Sequence, residues 1–185
     1  LKQALMKLGY PVQDLAGYIE GERYPLKLKT ALDNGTSFVL RDYQRQAVGA
    51  FYAGGSVYGG SGVLVLPCGA GKTVIGMAVM AEIQEATLIL TSNYTSVKQW
   101  IRELADKTTI AEEDIGEYTG EKKEVKPVTV ATYQILTHRP KGDDDLPHMA
   151  LFNQRNWGLV IYDEVHLLPA PVFRMTADIQ ANRRL

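Results

Sequence analysis

Apolar residues in this chain fall into short uninterrupted runs that alternate with stretches of helical period. "GVLVLP" at 62–67, "TLILT" at 87–91 and "WGLVIYDE" at 157–164 contain runs of three to five residues with little polar interruption, the pattern of strands buried on both faces. Between them, "GKTVIGMAVMAEIQ" at 71–84 predicts a largely apolar helix. "SVKQWIRELADK" at 96–107 predicts another, with Val97, Trp100, Ile101 and Leu104 at i, i+3, i+4 and i+7 on one buried face. "DIGEYTG" and "PVTVAT" read as two further strands around the charged loop "EKKEVK", and "YQILTH" reads as a short helix. Beyond the polar loop "RPKGDDDLPH", helices are expected at "MALFNQRN" and at "PAPVFRMTADIQAN". Unalternating strands each followed by a helix imply a parallel sheet covered on both faces, an α/β architecture.

The first 35 residues have a different character. "LKQALMKLG" and "DLAGYI" read as short helices, "PLKLKT" alternates like a strand, and "DNGTS" at 33–37 is a strong turn cluster. A boundary is drawn there, between an N-terminal segment at 1–35 that ends a preceding domain and a main domain at 36–185. The main domain opens with a helix over "LRDYQRQAVGAFYA", with Tyr43, Ala47, Ala50 and Phe51 on one side. "GGSVYGGSG" ends it.

Composition narrows the classes little. Twenty Lys and Arg against 21 Asp and Glu leave a net charge of -1, so any affinity for nucleic acid has to be local. Apolar runs fall short of a membrane span, a secretory signal is lacking, and a cytoplasmic location is expected. Cys68 is the single cysteine and is read as a small residue of a loop wall. The Leu start and the "ANRRL" end point to a piece of something larger.

Chemistry concentrates at two strand ends. "PCGAGKT" at 67–73 follows an apolar run and opens a helix. Its glycines let backbone N–H groups approach phosphate oxygens, the helix terminus favours negative charge, Lys72 can reach terminal phosphates, and the Thr73 hydroxyl can bind magnesium. Leu66 occupies a position where the strict phosphate-loop pattern has Gly or Ala. A plain strand-to-helix turn carrying an exposed lysine is the simpler alternative. Asp163 and Glu164 close the apolar run "LVIY". They supply one carboxylate for a metal and one to orient or deprotonate water, although an acidic pair at a strand end is also an ordinary cap. Asp143, Asp144 and Asp145 lack the spacing of a calcium loop. Trp100 belongs in the core by its helical spacing.

Taken in order, "LRDYQ" at 40–44, "LPCGAGKT" at 66–73, "ATYQIL" at 131–136 and "DEVHLLPAPVFR" at 163–174 resemble the Q-type motif and motifs I, Ib and II of superfamily 2 helicases. The resemblance is greatest to the XPB-type DNA helicases and covers about residues 36 to 185. It implies a RecA-like first motor domain that uses ATP and Mg2+. Its nucleotide would be held by Pro67, Cys68, Gly69, Ala70, Gly71, Lys72 and Thr73, with Gln44 reading adenine and Arg41 helping to fix the nucleotide. Thr73 and Asp163 would serve the metal, and Lys72, Asp163 and Glu164 the catalysis. His166 would couple the site to the rest of the motor. Thr91, Ser92, Asn93, Thr132 and Tyr133 would meet the DNA backbone through hydroxyls and N–H groups; helix caps and turns are the plainer use of such residues. A second RecA-like domain of the same full-length chain would supply arginines, so this chain alone is expected to hydrolyse ATP very slowly. A restriction or phage-defence motor, a non-hydrolysing nucleic-acid-binding scaffold and a small-molecule kinase are the alternatives.

Overall fold

The computed structural model describes residues 20–55, 59–67, 69–138, 147–167 and 183–185. The two helices expected within 1–19, the acidic loop with Asp143 to Asp145, the helix expected over 169–182 and Cys68 fall outside these. The described helices are α1 (Asp42–Tyr52), α2 (Lys72–Ile83), α3 (Tyr94–Lys107) and α4 (Tyr133–Thr137). The strands are β1 (Thr87–Thr91), β2 (Ile115–Tyr118), β3 (Val128–Thr132), β4 (Leu159–Tyr162) and β5 (Arg183–Arg184).

The five strands form one sheet in the order β2-β3-β1-β4-β5, and every pairing is parallel. β1 lies at the centre, with Thr87 in register with Val128 on one side and Leu159 on the other. All five of its residues are buried, which is why its sequence shows no polar alternation. Successive side chains still point to opposite faces. Ile89, Val130, Leu159 and Ile161 join one core with Ile75, Val79 and Leu104 of α2 and α3. Leu88, Leu90, Ala131 and Val160 join a second core with Leu136, Leu151 and Trp157. The expected sheet with both faces covered is therefore present.

Helix α2 is apolar on nearly every side because it is enclosed, with seven of its residues buried. Gly76 matters here. A Cβ at that position would stand 2.7 Å from the Trp100 ring, so glycine is what lets α3 lay its indole against α2. The face of α1 differs from the expected one: Gln44, Val48 and Phe51 are buried, whereas Tyr43 is 37% exposed.

Three strand or helix expectations need correcting. Residues 62–67 make no ladder, and Val63 and Val65 are 75% and 89% exposed. Ser61 bridges Arg184 in parallel and the Gly62 N–H donates to the Arg184 carbonyl at 3.1 Å. Among the described residues, no ladder partner lies beside 63–67. Second, "PLKLKT" forms isolated contacts rather than a strand. Leu28 bridges Thr108, and Lys29 N–H donates to the Lys107 carbonyl at 2.8 Å, where α3 ends and the chain turns away. Third, residues 147–153 form a 3-10 helix rather than an α-helix. The Leu151 carbonyl accepts from Gln154 N–H at 3.3 Å and from the Trp157 indole at 3.0 Å, which spends it within a tight turn. The expected turn at 33–37 is present, closed by an Ala31–Ser37 bridge with Gly35 at φ 79°. Among the described residues no helix is long and apolar enough to cross a membrane.

Candidate nucleotide site

The order of the strands reverses beside β1, and in such sheets the crevice beyond the C-terminal strand ends takes ligands. Two of the chain's acidic residues arrive there by backbone geometry. β4 runs out at Tyr162, and the Asp163 N–H extends the sheet bonding by donating to the Leu90 carbonyl at 2.8 Å. Glu164 then sits at φ 55°, in the left-handed region, which for a non-glycine residue costs roughly 1–3 kcal/mol unless its surroundings hold it.

The hold comes from across the crevice. Lys72 Nζ at the start of α2 lies 2.5 Å from Glu164 Oε1. The two residues are 92 positions apart and converge as the sequence motifs require. Each side chain is about one-third exposed, Lys72 at 33% and Glu164 at 34%. Hydrogen bonding to Lys72 holds the Glu164 carboxyl below its ordinary value, against the opposing effect of burial, and the charges of Lys72 and His166 act in the same direction. His166 is well exposed, with Nδ1 3.4 Å from Glu164 Oε2.

The loop before Lys72 is shaped by glycine. Gly69 and Gly71 have φ of 77° and 78°, a conformation other residues adopt at a cost. A Cβ on Gly71 would also lie 2.7 Å from Gln44 Nε2. Gln44 is buried, its Oε1 accepts from the Arg41 N–H at 2.9 Å, and its Nε2 donates to the Ala70 carbonyl at 3.3 Å. Tyr43, which sequence reasoning placed on the buried face, donates its hydroxyl to the same carbonyl at 2.6 Å. Arg41 is exposed and donates to the Tyr43 hydroxyl at 3.3 Å. The "RDYQ" run therefore grips the phosphate loop. A cleft of about 800 Å³ lies between the segment at 61–67 and β4, with Lys72, Trp100, Asp163, Glu164 and His166 in its wall.

Thr73 and Asp163 offer the hard oxygen donors that magnesium takes, and that ion usually needs one or two protein groups beside phosphate and water. No cluster of three or more His, Cys, Asp or Glu gathers among the described residues, so a closed all-protein metal cage is not the arrangement found there.

The residues expected to meet DNA divide. Asn93 is exposed and Ser92 half-buried, but the Asn93 carboxamide also caps α3 by accepting from Ser96 N–H at 2.9 Å. Thr91 is buried, donating to the Asn93 and Ala131 carbonyls at 3.3 and 3.4 Å. Thr132 is buried as the cap of α4. Tyr133 is 4% exposed, and its hydroxyl donates to the Asp163 carbonyl at 2.8 Å. Thr91, Thr132 and Tyr133 thus face inward, because each hydroxyl has a backbone group to satisfy. Gln134, not singled out from sequence, is exposed on this edge and donates to the Ser92 carbonyl. Trp100 is core, as expected, but its indole N–H also donates to Asp163 Oδ2 at 2.9 Å.

A parallel sheet with a lysine-bearing glycine loop facing an acidic turn at its C-terminal edge is the arrangement of a RecA-like domain. The chain belongs to the family described as Type III restriction enzyme, res subunit, which matches residues 37–185. All 185 residues align at 54% identity with the "DNA 3'-5' helicase XPB" of Mycobacterium tuberculosis strain H37Rv, covering 32% of that protein. The protein of the same name from Kineococcus radiotolerans is also 54% identical over 185 residues, 31% of its length. The chain thus spans about a third of these relatives, and the XPB-type superfamily 2 resemblance stands. In fold, it is similar to the UvsW helicase of bacteriophage T4, with a TM-score of 0.64 at 19% identity over 99% of this chain and 66% of that one.

Proposed function

We propose that the chain is the first motor domain of an ATP-dependent DNA helicase or translocase, and that Lys72, Asp163 and Glu164 form its hydrolytic centre. The observation that carries this is the 2.5 Å approach of Lys72 to Glu164 across the crevice at the end of β4. The N–H groups of the Gly69–Thr73 turn, at the positive end of a 12-residue helix, bind phosphate oxygens. Lys72 exchanges its carboxylate partner for the terminal phosphates. Glu164, released from that pairing, regains basicity and orients the attacking water. Thr73 and Asp163 would hold Mg2+, which when bound would supply neutralisation of phosphate charge.

Arg41, Tyr43 and Gln44 border the nucleotide, with Gln44 acting on it through the Ala70 carbonyl. Ser92, Asn93 and Gln134 form the exposed edge for the nucleic-acid backbone. A second RecA-like domain of the full-length protein completes the site, and His166 faces the path between the two. The relatives' names, DNA 3'-5' helicases, favour DNA as the track. The matching family's description keeps a restriction-type motor as the second reading, separable by a nuclease activity in the intact protein.

The decisive experiment measures ATP turnover of the intact protein with single-stranded DNA, duplex DNA and RNA side by side. Stimulation by DNA above that by RNA is the expected result. Turnover indifferent to all three would remove the motor reading.

A further inference from the structure

Asp163 is held by two buried aromatic side chains, to neither of which the sequence motifs gave this task. Trp100 of α3, 3% exposed, donates its indole N–H to Oδ2 of the carboxylate at 2.9 Å. Tyr133, the first residue of α4, donates its hydroxyl to the Asp163 backbone carbonyl at 2.8 Å. With the Asp163 N–H on the Leu90 carbonyl at 2.8 Å, the residue is fixed through donor, acceptor and side chain at once. An indole N–H is a donor alone and finds a partner when buried. Here that partner is one oxygen of the carboxylate, Oδ2. That leaves the other oxygen's direction set by the ring packed against Gly76. Tyr133 acts one bond upstream of Glu164, whose left-handed φ of 55° needs its neighbours to hold it.

We infer that Trp100 and Tyr133 are positioning residues for the acidic turn: Trp100 sets the rotamer of the metal-binding carboxylate, and Tyr133 sets the backbone that aims Glu164. The inference rests on the proposed hydrolytic role of Asp163 and Glu164. It adds a consequence. Both aromatics belong to helices that begin on the Ser92–Gln134 edge, where the Gln134 side chain ties the start of α4 to the Ser92 carbonyl. The turn that carries the carboxylates is thereby mounted on the same two helix starts that would carry nucleic acid.

The test uses the intact protein with three conservative variants, Trp100→Phe, Tyr133→Phe and Trp157→Phe. Trp157 is the control. It is also a buried indole, 2% exposed, donating to a carbonyl at 3.0 Å, but that carbonyl belongs to Leu151 and not to the turn. Three quantities are read for each: thermal midpoint, affinity for a fluorescent ATP analogue without metal, and the Mg2+ concentration giving half-maximal ATP turnover. Loss of a group that orients a metal ligand typically weakens the metal by 10-fold or more, so Trp100→Phe should raise the Mg2+ requirement roughly 10-fold while metal-free nucleotide affinity stays within about 2-fold. Tyr133→Phe, which removes one oxygen atom, should lower kcat with a smaller rise in Mg2+ requirement. Trp157→Phe should lower the thermal midpoint and leave the Mg2+ requirement at the wild-type value.

An unchanged Mg2+ requirement in Trp100→Phe, or the same rise in Trp157→Phe, overturns the assignment. Should Trp100→Phe not fold, the kcat of Tyr133→Phe decides, and a wild-type value overturns it. Wild-type protein that neither binds the analogue nor hydrolyses ATP brings down the functional reading itself, a result distinct from an active wild type with indifferent variants.

Discussion

The glycine loop at 69–71 and the acidic turn at 163–164 meet through the Lys72–Glu164 pair, yet they are secured in different ways. The loop is tied to the body at the Ala70 carbonyl, which accepts from the half-exposed Tyr43 and from Gln44 at 2.6 and 3.3 Å. The turn is gripped by β1 and by two aromatics less than 5% exposed. On the proposed function, a loop that wraps a multiply charged ligand gains from few ties, of which the Tyr43 one is open to solvent. Carboxylates that must meet a reacting centre gain from a rigid mount. The expectation is that one half of the site adapts while the other sets the geometry.

The largest expected effect comes from removing the contact between the halves. Lys72→Ala and Glu164→Gln should each lower kcat for ATP in the intact protein by about 100-fold or more, since each deletes a charge or base needed in the transition state. They should differ in binding. Lys72→Ala should weaken ATP binding, and Glu164→Gln should leave it equal to or tighter than wild type, because the carboxylate that pairs with the lysine at 2.5 Å no longer competes for it. Equal weakening in both, measured by equilibrium titration, would mean that the pair is a structural bridge.

Gly71→Ala attacks the adaptable half alone. The residue would have to hold φ 78° with its Cβ 2.7 Å from Gln44 Nε2. The left-handed conformation alone costs roughly 1–2 kcal/mol. A fall of a few degrees in the thermal midpoint is expected, together with loss of nucleotide binding. The same substitution at Gly69, where a Cβ meets nothing within 4 Å but φ is 77°, should cost backbone strain without the clash and bind better than Gly71→Ala. Indistinguishable variants would show that Gln44 does not brace the loop.

The pH dependence of stability sharpens the comparison further. Glu164 is depressed in the folded protein from an ordinary value of 4.5, chiefly by its bond to Lys72. A depressed carboxyl contributes stability above its unfolded pKa and loses it as pH falls through the folded one. The wild-type midpoint should therefore exceed that of Glu164→Gln at neutral pH. The gap should begin to close below about pH 4.5 and vanish once Glu164 is protonated in the fold as well. The side chain is about one-third exposed, so solvent screening keeps the gap small. A gap constant down to acid pH would show that the pair adds nothing to stability.

How far the chain could be read beforehand follows from the range of each interaction. β1 and α3 were legible because a central strand and an amphipathic helix write their burial into consecutive residues. The turn at 69–71 was legible because Gly69 and Gly71 stand where the backbone takes φ of 77° and 78° before a helix. Residues 62–67 show where apolar pattern alone stops short: "GVLVL" has the same pattern as "TLILT", yet a strand is defined by its ladder, and among the described residues none continues past Ser61. Helical spacing correctly buried Trp100 yet could not reveal that its N–H meets a carboxylate 63 residues away. Tyr133 was assigned outward because its motif borders nucleic acid in the family, while the partner of its hydroxyl lies 30 residues downstream.

The smallest expected effect is at Tyr43, where the difference between the two halves can be measured with a single atom. Tyr43→Phe removes the hydroxyl that reaches Ala70 at 2.6 Å and leaves the ring of this 37% exposed residue in place. A partly solvated neutral hydrogen bond contributes about 0.5–1.5 kcal/mol, and water can replace it on the exposed side, so the lower figure applies. That corresponds to roughly a 2-fold weakening of ATP binding, with an unchanged thermal midpoint and kcat. Amide hydrogen exchange separates this from its counterpart in the rigid half. Protection at Gly71 to Thr73 should fall in Tyr43→Phe while that at Asp163 and Glu164 is unaltered. In Tyr133→Phe, whose lost hydroxyl lies where water cannot easily substitute, the order should reverse. Equal loosening of both segments by either variant would mean that the loop and the turn open together, and that the division between an adaptable half and a rigid one does not hold.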